Sequence, residues 1–250
     1  VREKDEFYRA FTAARAEAES GFNNPDVYIE KFIENPRHLE VQVIGDKYGN
    51  YVYLGERDCT VQRRRQKLIE ETPSPILTPE MRAKVGKVAV DLARSAGYFS
   101  VGTVEFLLDA EKRFYFMEMN TRIQVEHTIT EEITGIDLLK AQISVAKGEK
   151  LPWKQKNIEF TGHVIQCRIN AEDPCNNFAP SPGRLDYYLP PAGPSVRVDG
   201  ACYSGYAIPP YYDSMIAKVI TKGKTREEAI AIMKRALKEF HIGGVHSTIP

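Results

Sequence analysis

Two periods of apolar and polar residues divide the chain into elements. From residue 3 to 20, Phe7, Phe11, Ala14 and Ala18 recur at helical spacing, and Gly21 ends the pattern. Alternation with period two then predicts strands over Val27 to Phe32, His38 to Ile44 and Asn50 to Leu54. In the second of these, Leu39, Val41 and Val43 alternate with Glu40, Gln42 and Ile44, and Asp46-Lys-Tyr-Gly-Asn50 supplies a hairpin turn. Thr78 before Pro79 predicts a capped helix carrying an apolar stripe of Val85, Val88, Leu92 and Ala96, stopped by Gly97. Thr103 to Leu107 and the aromatic run Phe114 to Met117 read as two strands of a hairpin joined across Asp109 to Arg113. Asp137 to Lys147 predicts a further apolar helix, closed by Gly148.

Leu151-Pro-Trp-Lys-Gln-Lys-Asn157 has no period and reads as a domain junction. Beyond it, His163 to Asn170 alternates, with Ile165, Cys167 and Ile169 on one face and Gln166 and Arg168 on the other. Short strands follow, broken by the turns Pro180-Ser-Pro-Gly183 and Pro190-Pro-Ala-Gly193. A last helix opens on the capping box Thr225-x-x-Glu228. The whole is an α+β pattern without internal repeats.

A chain of 250 residues has room for one large domain or two smaller ones. Lys plus Arg and Asp plus Glu both number 34, so net charge points to neither nucleic acid nor a membrane surface. Cys59, Cys167, Cys175 and Cys202 form no C-x-x-C pair, which argues against a zinc site and for reduced thiols. No apolar run approaches the roughly 18 residues of a membrane span and no signal-peptide pattern opens the chain, so a cytoplasmic protein is expected.

The chemistry concentrates in Glu118-Met-Asn-Thr-Arg-Ile-Gln-Val-Glu-His127. Alternation puts Phe116, Glu118 and Asn120 on one face of the strand end, and Arg122, Gln124 and Glu126 follow at once. Hard oxygen ligands beside a cation are what a magnesium and phosphate site requires. Glu105 lies in the partner strand of the hairpin. Two carboxylates on paired strands repel unless a cation sits between them, so Glu105 and Glu118 are read as sharing Mg²⁺. Gln62-Arg-Arg-Arg-Gln-Lys67 is the one dense basic run. Without interleaved aromatic residues it reads as an anion site rather than a single-strand nucleic-acid surface. On periodicity alone, Glu30-Lys31, His38 and Arg168 read as solvated polar positions.

The Glu118 to His127 segment resembles the signature of biotin carboxylases, the ATP-grasp component of biotin-dependent carboxylases. The resemblance extends to Tyr28 to Val43, Glu56 to Lys67, Cys167 to Asp173 and Pro209 to Met215, and so covers nearly the whole chain. It implies an ATP-grasp fold, incomplete because its glycine-rich lid is missing, over residues 1–148. A linker over 149–160 and a biotin carboxylase C-terminal domain over 161–250 are expected to follow. Relatives carry an N-terminal domain and the lid upstream, and more helix downstream, so this stretch alone is expected to be an incomplete catalyst.

The implied reaction is carboxylation of carrier-bound biotin by bicarbonate and ATP, with Mg²⁺ or Mn²⁺, through carboxyphosphate. The implied metal ligands are Glu105, Glu118 and Asn120. Glu30, Lys31, Phe32 and Ile33 correspond to the adenine hinge, and His38, Gln62, Arg65, Leu107, Gln124 and Val125 to further nucleotide and anion contacts. Arg65 stands where many relatives have histidine. Lys67 and Arg122 correspond to bicarbonate ligands, Glu126 to the general base and Arg168 to the ligand of the biotin enolate. Implied partners are a biotin carboxyl carrier domain, a carboxyltransferase component and a second copy of the parent protein; no nucleic-acid or membrane partner is expected. Two alternatives stay open: another ATP-grasp ligase, separated by a requirement for biotin, and a non-catalytic fragment, separated by nucleotide binding without turnover.

Overall fold

The alternating segments pair into one antiparallel sheet of eight strands. In chain order these are β1 (Arg37–Gly45), β2 (Tyr51–Arg63), β3 (Gln66–Thr72), β4 (Ser100–Leu108), β5 (Phe114–Asn120), β6 (His163–Asn170), β7 (Val196–Gly200) and β8 (Met215–Gly223). Across the sheet they run β7-β8-β6-β3-β2-β1-β4-β5. The computed structural model describes residues 1–250 and divides into two units, Val1–Glu34 and Asn35–Pro250, the second of which holds the sheet.

In the first unit, helix α1 (Phe7–Phe22) stacks Phe7 on Phe11 with ring centroids 5.7 Å apart. It passes Gly21 and ends at Asn23, whose left-handed backbone (φ 53°) forms the cap. Val27 to Phe32, expected as a strand, joins no sheet. Apolar, β-branched composition makes a strand only where a ladder receives it.

In the second unit both faces of the sheet are covered. Leu39, Val41 and Val43 of β1 and Val104, Phe106 and Leu108 of β4 pack against helix α2 (Pro79–Ser95). Thr78 caps α2, its hydroxyl accepting from the Met81 amide, with Pro79 in the first turn as expected. The buried stripe is rotated from the one expected: Val85, Gly86, Ala89, Val90 and Ala93 are buried while Val88 is exposed. Close approach explains it, since a Cβ on Gly86 would come within 2.7 Å of the Tyr53 ring. Small residues let the helix settle on the sheet, and each fully buried valine there is worth about 1.5–3 kcal/mol.

Ile165, Cys167 and Ile169 of β6 face helix α5 (Arg226–Glu239), whose first turn is capped by the Thr225 hydroxyl. The Glu228 carboxylate accepts from the Lys224 amide, one residue before the cap. The opposite face carries α3 (His127–Thr134) and α4 (Leu138–Ala146). α3 was not foreseen, because it begins inside the charged decapeptide. Asp137 caps α4 and Gly148 follows it as expected. The largest departure is β2, which continues through Glu56, Arg57 and Asp58 to Arg63 instead of stopping at Leu54. These charged residues stay in the strand because partners neutralise each: Arg82 for Glu56, Glu40 for Arg57 and Arg37 for Asp58.

Candidate active site

Strand register sets the chemistry. Glu40 of β1 stands opposite Arg57 of β2 on one side and Glu105 of β4 on the other, and Glu105 stands opposite Glu118 of β5. One rung across four strands thus carries Arg57, Glu40, Glu105 and Glu118. Like charges side by side destabilise a sheet unless cations intervene. Besides Arg57 within the rung, a second cation reaches it from β3. Lys67 of β3 puts its Nζ 2.6 Å from Glu40 Oε2, 2.6 Å from Glu126 Oε1 and 3.3 Å from Glu105 Oε1. His38 Nε2 lies 2.6 Å from Glu105 Oε2, and its Nδ1 lies 2.7 Å from Gln62 Nε2.

Charges then alternate beyond the rung. Glu126, 2% exposed, offers its second oxygen to Arg168 Nη2 at 3.0 Å. Arg168 Nε in turn donates to Glu70 Oε1 at 2.6 Å, and Gln166 Nε2 to Glu70 Oε2 at 2.9 Å. Arg57, Glu40, Lys67, Glu126 and Arg168 form one line of alternating sign from β2 to β6, and Glu70 of β3 closes it as the further acceptor of Arg168.

Arg57 anchors that line. It is 0% exposed, and its five N–H groups meet five different oxygens. Nε donates to Glu40 at 2.5 Å, Nη1 to Gln42 at 2.6 Å and Thr130 at 2.9 Å, and Nη2 to Thr103 at 3.1 Å and Gln124 at 2.9 Å. With its oxygen fixed by Arg57, the Gln124 amide turns its Nε2 to Glu105 Oε1 at 2.7 Å. The loop carrying Gln124 is tied down further by Lys218 Nζ, which donates to the Val125 carbonyl at 2.7 Å.

Of these groups, His38, Gln62, Lys67, Glu105, Glu118, Gln124, Val125, Glu126 and Arg168 line a cavity of about 630 Å³, with Arg57, Glu40 and Glu70 behind its wall. Every residue singled out in the sequence from His38 to Arg168 contributes to its wall: His38, Gln62, Arg65 and Lys67 from the β1–β3 side, Glu105, Leu107, Glu118 and Asn120 from β4 and β5, then Arg122, Gln124, Val125, Glu126 and Arg168. Glu30, Lys31, Phe32 and Ile33 belong to the first unit. Arg122 is exposed and reaches back to the Ile123 carbonyl at 3.2 Å. Sequence reasoning passed over Glu40, Arg57 and Glu70. One signal was available: Ile44 shares the polar face of β1 with Glu40 and Gln42, and an apolar residue there marks a covered face.

The donor set suits a hard divalent cation. Asn120 Nδ2 lies 3.0 Å from Glu105 Oε1 and 3.1 Å from Glu118 Oε1, so both carboxylates reach one point. With the amide turned over, all three residues present oxygen, the donor that Mg²⁺ or Mn²⁺ takes. Glu40, Cys59 and Glu126 also bring ligand atoms within 4.8 Å of one another. That group is unsuited to a metal, because Lys67 lies against both acids and burial pushes the Cys59 thiol well up.

Titration follows the same geometry. Burial would raise the Glu105 carboxyl, but the His38 hydrogen bond and the Lys67 charge outweigh it and hold it at about 2. Burial would lower the Lys67 amine, and the surrounding carboxylates, Glu40 foremost, push it up instead. Burial lifts Glu70 from 4.5 to about 7 against the pull of Arg168. Between those values the folded chain keeps a proton the unfolded chain has lost, so the contribution of Glu70 to stability falls as pH rises. The stability of Glu70→Gln relative to the unmodified chain is therefore expected to improve from about pH 5 to about pH 7 and to level off above. Urea unfolding across that range reads the difference, and a pH-independent difference would mean that Glu70 ionises normally.

The sequence matches two families: "Carbamoyl-phosphate synthase L chain, ATP binding domain" over residues 1–154 and "Biotin carboxylase C-terminal domain" over residues 166–250. It is 60% identical to biotin carboxylase 1 of Bacillus subtilis (strain 168) over 251 residues, covering 100% of this chain and 56% of that protein. The biotin carboxylase domain dimer of Hydrogenobacter thermophilus 2-oxoglutarate carboxylase, solved with MgADP, ADP and bicarbonate, is 51% identical with a TM-score of 0.94, over 100% of this chain and 55% of that one. The biotin carboxylase of Campylobacter jejuni, solved as a β-γ-ATP complex, is 47% identical with a TM-score of 0.94, over 99% of this chain and 55% of that one. The chain thus spans little more than half the length of these relatives. No helix of the structure is long and apolar enough to cross a membrane. By its alternating acids and cations, its fold and its sequence, the chain belongs to the biotin carboxylase family.

Proposed function

We propose that this chain forms the larger part of an ATP-dependent biotin carboxylase, which transfers the carboxyl group of bicarbonate to carrier-bound biotin. The observation that carries the reading is Glu126 held between Lys67 and Arg168, with a metal-suited acid pair in the same cavity. In this reading Glu126 removes the proton of bicarbonate while Lys67 and Arg122 hold the anion. The freed oxygen attacks the γ-phosphorus of ATP, and carboxyphosphate and ADP result. Mg²⁺ held by Glu105, Glu118 and Asn120 would supply positive charge to the phosphate oxygens. Carboxyphosphate separates into CO₂ and phosphate, the phosphate takes the N1 proton of biotin, and the enolate attacks CO₂. Arg168 stabilises the enolate oxygen, a role suited to a guanidinium that is always charged. Gln124 and the Val125 backbone complete the anion pocket.

His38, Gln62, Arg65 and Leu107 would contact the nucleotide. A biotin carboxyl carrier domain, a carboxyltransferase component and a second copy of the parent protein are the partners this reading expects, in the cytoplasm.

The test is ATP cleavage with Mg²⁺ and bicarbonate, with and without free biotin, by residues 1–250 and by the natural polypeptide that contains them. Turnover indifferent to biotin would replace this reading with another ATP-grasp ligase. Arg168→Ala is expected to reduce biotin carboxylation at least tenfold more than it reduces ATP cleavage, a difference of about 1.4 kcal/mol between the two barriers. Parallel loss of both would make Arg168 a purely structural partner of Glu70 and Glu126.

A further inference from the structure

The tip of the β2–β3 hairpin is built from residues ill suited to it. Arg63 pairs with Gln66, leaving Arg64 and Arg65 as a two-residue turn, and both have left-handed backbones with φ of 49° and 69°. Asparagine and glycine fill such positions readily, whereas side chains like arginine are disfavoured there. Facing the tip is a second left-handed pair, Asn177 and Phe178, with φ of 53° and 57°. The two left-handed turns clasp each other. Arg63 Nη2 donates to the Asn177 carbonyl at 2.7 Å and to its Oδ1 at 3.0 Å, and Arg64 Nη2 donates to the same Oδ1 at 3.3 Å. The Arg63 guanidinium also lies 4.1 Å from the centre of the Phe178 ring, within cation–π range. The Phe178 turn is held in place by its own amide, which donates to the Asp173 carbonyl at 2.8 Å.

Arg65 and Gln66 line the cavity immediately beyond this clasp, and Lys67 follows them. Disfavoured backbone conformations persist where surrounding contacts impose them. We infer that Arg63 is a positioning residue: clasped by Asn177 and Phe178, it holds the Arg64–Arg65 tip so that the Arg65 wall of the cavity accepts a nucleotide. This rests on the cavity being the nucleotide site, as proposed above. Arg63 touches none of the reacting atoms in that reading. Its effect belongs to nucleotide affinity and not to the chemical step.

The test uses the natural polypeptide and two readouts. Limited trypsin digestion, with fragments identified by mass, measures cutting after Arg64 or Arg65; calorimetric titration with MgADP measures affinity. Arg63→Ala is expected to speed cutting at the tip at least tenfold and to weaken MgADP about tenfold, with KM for ATP rising in step and kcat within about twofold. Arg63→Lys keeps a cation over Phe178 and one donor for Asn177, and is expected to recover most of the affinity. Asn177→Gly accepts the left-handed backbone and retains the carbonyl acceptor, and is expected to bind MgADP within about twofold of the unmodified protein. Faster cutting with unchanged affinity and KM would overturn the positioning role, and unchanged cutting would overturn the clasp itself. Failure of the unmodified protein to bind MgADP would remove the nucleotide reading, and this inference with it. Normal MgADP binding with loss of biotin-dependent turnover would leave the inference standing and remove the activity proposed above.

Discussion

Glu126→Gln is expected to abolish bicarbonate-dependent ATP cleavage, by about 10²–10⁴-fold, the usual range for losing a general base, while leaving nucleotide affinity nearly intact. The substitution keeps the shape of the side chain and removes its charge. Glu126 is almost wholly buried, with one oxygen 2.6 Å from Lys67 Nζ and the other 3.0 Å from Arg168 Nη2. An amide there must turn its NH₂ toward one of the two cations, so neither the proton acceptor nor the cation clamp survives. A carboxylate is a weak base, so in the proposed role positioning would supply much of the effect. The nucleotide contacts proposed at His38, Gln62 and Arg65 lie elsewhere on the cavity wall. Single-turnover cleavage and MgADP titration separate the two effects, and equal loss of both would remove Glu126 from the role of base.

Arg57→Met is expected to destabilise the second unit by about 3–5 kcal/mol, the cost of removing one partner from a buried ion pair. The methionine fills part of the space, but Glu40, Gln42, Thr103, Thr130 and Gln124 each lose a donor. Glu40 would keep Lys67 as its counter-charge, and Lys67 would be drawn from Glu126 toward it. A cycle with Glu40→Gln tests this account. The double variant is expected to lose less than the sum of the single losses, because the stranded carboxylate is then neutral. Urea unfolding of the four proteins measures the coupling; additive losses would mean that Arg57 and Glu40 act separately.

Alternation made β1, β4 and the face of β6 legible, since each has an apolar face on one core; β5 pairs with β4 as expected but leaves Phe116 and Met117 of its aromatic run exposed. The run Glu118 to His127 stood out because hard ligands and a cation fall within a few residues beside a second strand bearing an acid, and Glu118, Asn120, Arg122, Gln124, Val125 and Glu126 all line one cavity. What the pattern hid was burial on the polar side. Glu40, Arg57 and Glu70 look like solvent-facing positions of their strands, and their compensation comes from strands and a helix distant in sequence. No local period encodes a charge in β2 meeting oxygens from β1, β4 and α3. Val27 to Phe32 failed for the converse reason: the composition suits a strand, but no ladder receives it. On α2 the larger apolar residues were taken for the buried stripe, whereas contact with Tyr53 selected the smaller ones.

The seam between β3 and β6 has a consequence for any attempt to divide the gene. Four residue pairs, from Ile69 with Cys167 to Thr72 with Val164, join the strands there. A break in the coding sequence anywhere across 149–160 would produce two polypeptides, each ending in a raw sheet border with a row of unsatisfied amides and carbonyls. Such borders recruit whatever strand is available, including copies of themselves. The halves would be expected to precipitate when made separately and to stay dispersed when made together. Glu126 and Arg168 would fall on opposite sides of that cut, so reassembly would be needed to restore the cation clamp.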